Sequence, residues 1–366
     1  MAKETEAQID AFMTIAARES GRPMAELRQE FADLKAGPGR LTADEYVKFA
    51  LYDSTRYSPA DKQAFLSDLL HWPIVRACCD SNWTAATEDK WLASRILDMV
   101  GLPTPRIIAV CDDSQRLYPG TRTIRTEQQF LQFLAERPGE PFFAKPMVSY
   151  ASKGILRCEG HGGGMMTFTH IGELPAAEAY RKHLGRQPYI LQTIQKNHSF
   201  FSGLCRNLAT VRTGAVVYDN EVRLAFSFLK MPGLETIEDR FQVPGNIACE
   251  LNPVTGDILS IACRTAHGYT RHTLHPEHGV PMIGLRLPYW QEVLDAVGTT
   301  ARLFAPLRYQ TMDIAITDAG PVVIEVNIGG GFAGPQMALG RGIMNTPLGN
   351  FLNACGINTA KFRFGN

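Results

Sequence analysis

Residues 311–331 read TMDIAITDAGPVVIEVNIGGG. With a period of two, Met312, Ile314 and Ile316 fall on one face of a strand, and Val322, Ile324 and Val326 on one face of the next. Between them Asp318-Ala319-Gly320 fits a three-residue hairpin loop, a type I turn closed by a left-handed glycine. That loop sets Met312 opposite Val326, Ile314 opposite Ile324 and Ile316 opposite Val322. It also sets Asp313 across from Glu325 on the other face, with Asn327 two residues on. Carboxylates so opposed lie about 5 Å apart and repel each other. A strand pair otherwise patterned for burial therefore needs positive charge beside its two acids. A divalent cation is the economical solution, and hard Mg²⁺ takes oxygen ligands that it often shares with substrate phosphates. The alternative is an exposed face on which both acids are solvated.

Working outward, the chain changes character near residue 85. Before it everything reads helical: Ile9, Phe12, Met13 and Ala16 form one apolar stripe, and Met24, Leu27, Phe31 and Leu34 another. Thr42 with Glu45 makes a capping box, and Ser58-Pro59 opens a helix burying Phe65, Leu66 and Leu69. After it strands and helices alternate: 106–110, helix 127–136, 141–147, helix 175–185, then 189–194. Long strands follow at 209–219, 221–231 and 247–263, ending in the hairpin. Hairpin connections dominate the later half, which predicts an α+β body with antiparallel sheets.

Two further constellations carry anion chemistry. In FFAKPMVSYASKG (142–154), Lys145 lies on an apolar strand, where a lysine is avoided unless it has an anionic partner. The small-residue loop Ser149 to Gly154 follows, of the kind whose backbone N–H groups cradle phosphate; as a sequence it is also an ordinary surface loop. In TEDKWLASRILDMVGLPTP (87–105), Thr87 reads as the N-cap and puts Lys90 in the first helical turn. A cation there opposes the helix dipole, and a bound anion removes that cost; the alternative is a solvated lysine.

Composition bounds what this chemistry serves. The 366 residues carry 37 basic and 37 acidic side chains, so no global field points to nucleic acid or an anionic membrane. No apolar run approaches the roughly 20 residues of a membrane span, and MAKETEAQID is too charged for a signal peptide. The eight cysteines show no CxxC pair. Together these point to a cytoplasmic protein with reduced thiols.

The order EDKWLASRILDMVGLPTP, FFAKP with its small-residue loop, YILQTIQ, then MDIAI and VVIEVN resembles the ATP-grasp superfamily over roughly residues 86–345. The nearest likeness is to its sugar-transfer-associated branch. The resemblance implies an ATP-grasp fold, two antiparallel-sheet subdomains sandwiching ATP (86–190 and 191–366), preceded by a helical region, 1–85. It implies that Lys90 and Lys145 bind ATP phosphates, and that the loop with Ser149, Ser152, Lys153 and Gly154 closes over them. Gln192, Thr193 and Ile194 become the adenine hinge, and Asp313, Glu325 and Asn327 the Mg²⁺ ligands. Arg212 and Lys230 fall where the family faces the γ-phosphate or an acyl-phosphate. The chain departs from the pattern at three points. Gln192 and Thr193 replace the usual hinge glutamate, Thr210 stands at the ribose acid, and Thr311 replaces an arginine two residues before the first metal acid.

The chemistry implied is carboxylate activation: γ-phosphoryl transfer gives an acyl-phosphate and ADP, and an amine displaces phosphate to form an amide. The substrates are a small-molecule carboxylate and an amine, in natural-product or sugar-polymer biosynthesis, with no nucleic acid or membrane partner and a homodimer as the assembly entertained. A phosphotransferase and a non-catalytic nucleotide-binding regulator are the competing readings. Arg264 and Asn246 lie on the strand side facing the site and are candidates to anchor the donor carboxylate. The glycines of NIGGGFAG (327–334) are expected to let backbone N–H groups approach phosphate or substrate, and EGHGGG (159–164) reads as a flexible turn. His272, His275 and His278 recur at intervals of three, but Pro276 predicts a loop in place of a zinc-binding helical face.

Overall fold

The computed structural model describes residues 4–149, 153–236 and 239–362. Helices Glu6–Ser20, Met24–Ala36, Ala43–Lys48, Pro59–Gln63 and His71–Cys78 come before any strand. The apolar stripes bury Ile9, Met13 and Ala16 on the first and Leu27, Phe31 and Leu34 on the second. Thr42 and Glu45 cap reciprocally, as do Ser58 and Asp61. Phe65 and Leu66 are buried beyond the helix end, not within it.

The chain forms two compact units. One comprises 84–196 with 322–326, and the other 1–83, 197–321 and 327–366. The first unit is built on seven strands: β1 (Ile107–Cys111), β2 (Thr123–Ile124), β3 (Phe142–Pro146), β4 (Leu156–Gly162), β5 (Met165–Phe168), β6 (Gly172–Pro175) and β7 (Tyr189–Gln192). Their order is β2-β1-β7-β3-β4-β5-β6. The β1–β2 pair is parallel and the other pairs are antiparallel. Helix Glu127–Ala135 buries Phe130, Phe133 and Leu134 in a core shared with Phe142, Leu156 and Leu191. The segment read as helix 175–185 is α-helical over Ala176–Ala179 and then widens to a π-helical turn, Tyr180–Leu184. EGHGGG is not a free turn: β4 continues through Gly162, and the reversal is made by Gly163 and Gly164, both at positive φ.

The second sheet comprises β8 (Thr210–Tyr218), β9 (Glu221–Met231), β10 (Ile247–Leu251), β11 (Ile258–Arg264), β12 (Tyr269–His272), β13 (Tyr309–Thr317) and β14 (Gly320–Ile328). The order is β12-β11-β10-β9-β8-β13-β14. The stretch read as one strand, 247–263, is thus two, reversed at Asn252, whose side chain accepts from Val254 N and Thr255 N. β13 ends at Thr317 and β14 starts at Gly320, whose φ of 111° is the positive value the loop requires.

Alternation decides what each face does. On one face Gln310 donates to the carbonyls of Ala301, Phe304 and Leu307, fastening helix Trp290–Leu303 to the sheet. The other face carries Arg212 opposite Asp313 and Thr210 opposite Lys230. The register also puts Phe228 opposite Arg212, and helix Ala333–Leu339 packs there through Gly334. The helical amino-terminal region joins this unit through Gln336, whose side chain bonds both N–H and C=O of Leu66.

Candidate nucleotide and metal site

In the second unit, register alone brings four predicted residues together. Arg212 grips Asp313 with two N–H groups, Nε to Oδ1 at 3.0 Å and Nη2 to Oδ2 at 2.6 Å. Lys230 Nζ lies 2.9 Å from Asp313 Oδ1 and 3.1 Å from a carboxylate that the sequence did not single out, Asp239. Thr210 donates its hydroxyl to the same oxygen of Asp239. Burial pushes the Asp313 carboxyl up, but Arg212 and Lys230 outweigh it and hold the group well below the usual carboxylate range. No spacing signal marks Asp239, since Glu235 and Glu238 stand beside it in the same connection.

In the first unit, Lys90, Lys145, Gln192 and Glu325 line one cavity of about 30 Å³. That is room for roughly two waters, not for a nucleotide. Lys90 Nζ is 3.5 Å from Glu325 Oε1 and donates to Ser149, to its carbonyl and its hydroxyl, at 3.3 Å. The cap before Lys90 is Asp89, which accepts from Leu92 N; Thr87 belongs to the preceding short helix, Thr84–Glu88. Asp89 wins because its carboxylate both caps the helix and pairs with Arg116. Lys90 is therefore the first helical residue.

The remaining predictions in this unit fall as follows. Lys145 is on β3, half-buried. Gly154, at φ 77°, lies where a Cβ would meet Pro146 and Tyr189, and its carbonyl accepts from the Tyr189 hydroxyl, anchoring the loop's end. Lys153 is exposed, and Ser152 lies outside the described residues. Gln192 is buried and donates to Pro105 O at 3.4 Å. The hinge continues from β7 with Thr193 N donating to Arg106 O, and Ile194 is half-buried.

The structure corrects the explanation for the paired acids. Neither requires a metal for its neutralisation, because each has protein cations in its own unit: Arg212 and Lys230 for Asp313, Lys90 for Glu325. Asp313 and Asn327 in one unit and Glu325 in the other each carry the hard oxygens that a divalent ion takes. The Asn327 Nδ2, buried without a partner, is an N–H donor and suits an oxygen acceptor such as a phosphate.

Three other expectations are revised. Arg264 and Asn246 share the Lys230 face, through Ala262 and Ala248, but both are committed to local partners. Arg264 donates to the carbonyls of Thr265 and Gly268. Asn246 holds Gly233 N, the Thr236 hydroxyl and Arg240 O. The glycines of NIGGGFAG serve close packing: a Cβ would strike Val75 and His71 at 329, Thr311 at 330 and Asp68 at 331. The amides of Phe332 and Ala333 that follow are taken by the Asp68 carboxylate.

His275 and His278 approach Glu277 so that one ligand atom of each lies within 4.8 Å of the others. The His275 Nδ1 lone pair, however, already accepts from the Glu277 and His278 amides, and Glu277 accepts from Leu234 N. His272 bonds Thr270. This is a turn held by its own hydrogen bonds.

Residues 77–351 match the family model described as sugar-transfer associated ATP-grasp, and the chain belongs to that family. The comparison with curated proteins finds no match. Among solved structures it is similar to VanG D-Ala:D-Ser ligase from Enterococcus faecalis (16% identity, 72% of this chain and 59% of that one, TM-score 0.40). It is also similar to D-alanyl-alanine synthetase A from Vibrio cholerae (11%, 77% and 68%, TM-score 0.43). A third is the ADP complex of purK, N5-carboxyaminoimidazole ribonucleotide synthetase (9%, TM-score 0.40). The match covers 68% of this chain and spans 47%, about half, of that synthetase. Among the described residues no helix is long and apolar enough to cross a membrane.

Proposed function

We propose that this protein is an ATP-dependent ligase that activates a small-molecule carboxylate as an acyl-phosphate and joins it to an amine. The observation that carries the reading is the Arg212–Asp313–Lys230 centre: a carboxylate kept ionised, with two cations, on one face of a sheet. Two cations held in register on one face could turn to phosphoryl charge, and positioning with charge neutralisation is most of what phosphoryl transfer asks of a protein. Lys90 and Lys145 would hold nucleotide phosphates, and Gln192 to Ile194 the adenine. Asp313, Glu325 and Asn327 would hold Mg²⁺, which when bound supplies Lewis-acid neutralisation of phosphoryl oxygens. Arg212 and Lys230 would balance charge as the substrate carboxylate approaches. The family's description, sugar-transfer associated, supports a setting in sugar chemistry; natural-product or sugar-polymer biosynthesis is the pathway class we propose, and the absence of net charge in the sequence fits small-molecule substrates better than nucleic acid. The assembly we propose to test first is a homodimer.

The test supplies ATP, Mg²⁺ and panels of carboxylates, with and without amines. Amine-dependent release of ADP and phosphate is the expected result. A stable phosphorylated product would establish a kinase, AMP and pyrophosphate an adenylating enzyme, and binding without turnover a regulator.

A further inference from the structure

Lys230 has a second acid. Its side chain is 7% exposed, and its ammonium lies between Asp313 on β13 and Asp239, which belongs to no strand and falls in the connection 232–246 between β9 and β10. Buried lysines need a partner, and Asp313 alone would supply one. The Asp313 carboxylate is also gripped by Arg212, so without Asp239 the cluster would hold two cations against one anion. With Asp239 it is two against two, and neutral. Asp239 is also placed accurately. Thr210, directly opposite Lys230 in the register, donates to the Asp239 oxygen nearest Lys230. Asn246 pins the same connection at its base through Gly233, Thr236 and the carbonyl of Arg240, the residue after Asp239.

A neutral quartet is a poor trap for a polyanion. The attraction that Lys230 could offer a phosphoryl oxygen is offset by the repulsion of a carboxylate 3.1 Å from the ammonium. We propose that Asp239 is a positioning residue that holds Lys230 as a placeholder for the nucleotide's phosphate and limits how tightly the phosphates of substrate and product are retained. Lys230 exchanges its Asp239 contact for phosphoryl oxygen when nucleotide binds, and returns to it as product leaves. The carboxylate thus weakens ground-state binding while leaving Lys230 aligned for the charge that develops in the reaction. This inference rests on the nucleotide-binding reading above and adds a residue to it.

The test is calorimetric binding of ADP and of inorganic pyrophosphate to the full chain, at several salt concentrations, with steady-state kinetics alongside. Asp239→Asn keeps the shape and can still accept from Thr210, but removes the charge. ADP and pyrophosphate should bind about tenfold more tightly, roughly 1.4 kcal/mol, with a steeper salt dependence. Both KM for ATP and kcat should fall, the latter because release slows. Thr210→Val removes the tether but keeps the carboxylate, and should tighten binding of pyrophosphate, which has no ribose, by about threefold at most, well short of the gain in Asp239→Asn. Unchanged or weaker binding in Asp239→Asn, with a lowered melting temperature, would show that Asp239 only fastens the connection and overturn the proposal. Tightening in Thr210→Val equal to that in Asp239→Asn would overturn it too, since the tether and not the charge would then be responsible. A wild-type protein that binds neither ADP nor pyrophosphate would take the nucleotide reading down with it, a result distinct from a binding wild type with an indifferent variant.

Discussion

Asp313 and Glu325 were read from the sequence as equals, and the structure makes them opposites. Asp313 is 9% exposed at its side chain and is gripped by Arg212 and Lys230 at hydrogen-bonding distances, on strands whose register fixes all three. Glu325 is 34% exposed and meets one lysine at 3.5 Å, and that lysine also spends its protons on Ser149. The first acid belongs to the stability of its sheet as much as to any chemistry. The second is held loosely enough to take a new partner. Burial and register, not residue type, separate them.

Substituting the two acids should break the symmetry in measurable ways. Asp313→Asn leaves a buried ammonium and a guanidinium short of negative charge, so a loss of about 3 kcal/mol in urea unfolding is expected, with turnover abolished. A variant of wild-type stability would contradict the described pairing. Glu325→Gln should leave stability within about 0.5 kcal/mol, as a half-exposed pair warrants. Its turnover should fall about 10²-fold or more, roughly 2.7 kcal/mol of barrier, while nucleotide affinity changes modestly. Full activity would remove Glu325 from the machinery.

Acidity offers a further contrast. Asp313 has a depressed folded-state pKa, so its contribution to stability is present above the ordinary carboxylate pKa near 3.9 and is lost as pH falls below it toward the folded value. Wild type should therefore lose stability more steeply than Asp313→Asn between about pH 4 and pH 2. Parallel curves would mean that the pairing contributes nothing to folding. The smallest effect on catalysis is expected from Arg264→Met. Because its guanidinium serves Thr265 and Gly268, the change should cost about 1–2 kcal/mol of stability with KM values unaltered. A large rise in the KM of a carboxylate substrate would restore Arg264 as a substrate anchor.

Much of the fold was legible because it is written in local periodicity. The period-two alternation of 209–231 and 311–328 became β8, β9, β13 and β14, and Thr42/Glu45 and Ser58-Pro59 opened the helices they announced. Lys90, Lys145 and Asp313 could be named because a charge on an apolar strand or in a helix's first turn is an anomaly of the pattern, whereas Arg212 and Lys230 were named only through the family resemblance. Partnership was not legible. Whether Asp313 needed a metal depended on Arg212 and Lys230 arriving from strands about 100 and 80 residues away in the chain. Nothing in 232–246 marked Asp239 above its neighbouring acids, and nothing in NIGGGFAG foretold that Asp68, some 260 residues earlier, would take the amides after its glycines. The sequence by itself determined which residues are charged, apolar or turn-forming, and hence the elements. Tertiary structure alone decided which charges meet, because electrostatic pairing depends on distance in space and falls away over a few ångströms, whereas periodicity is a property of neighbours in the chain.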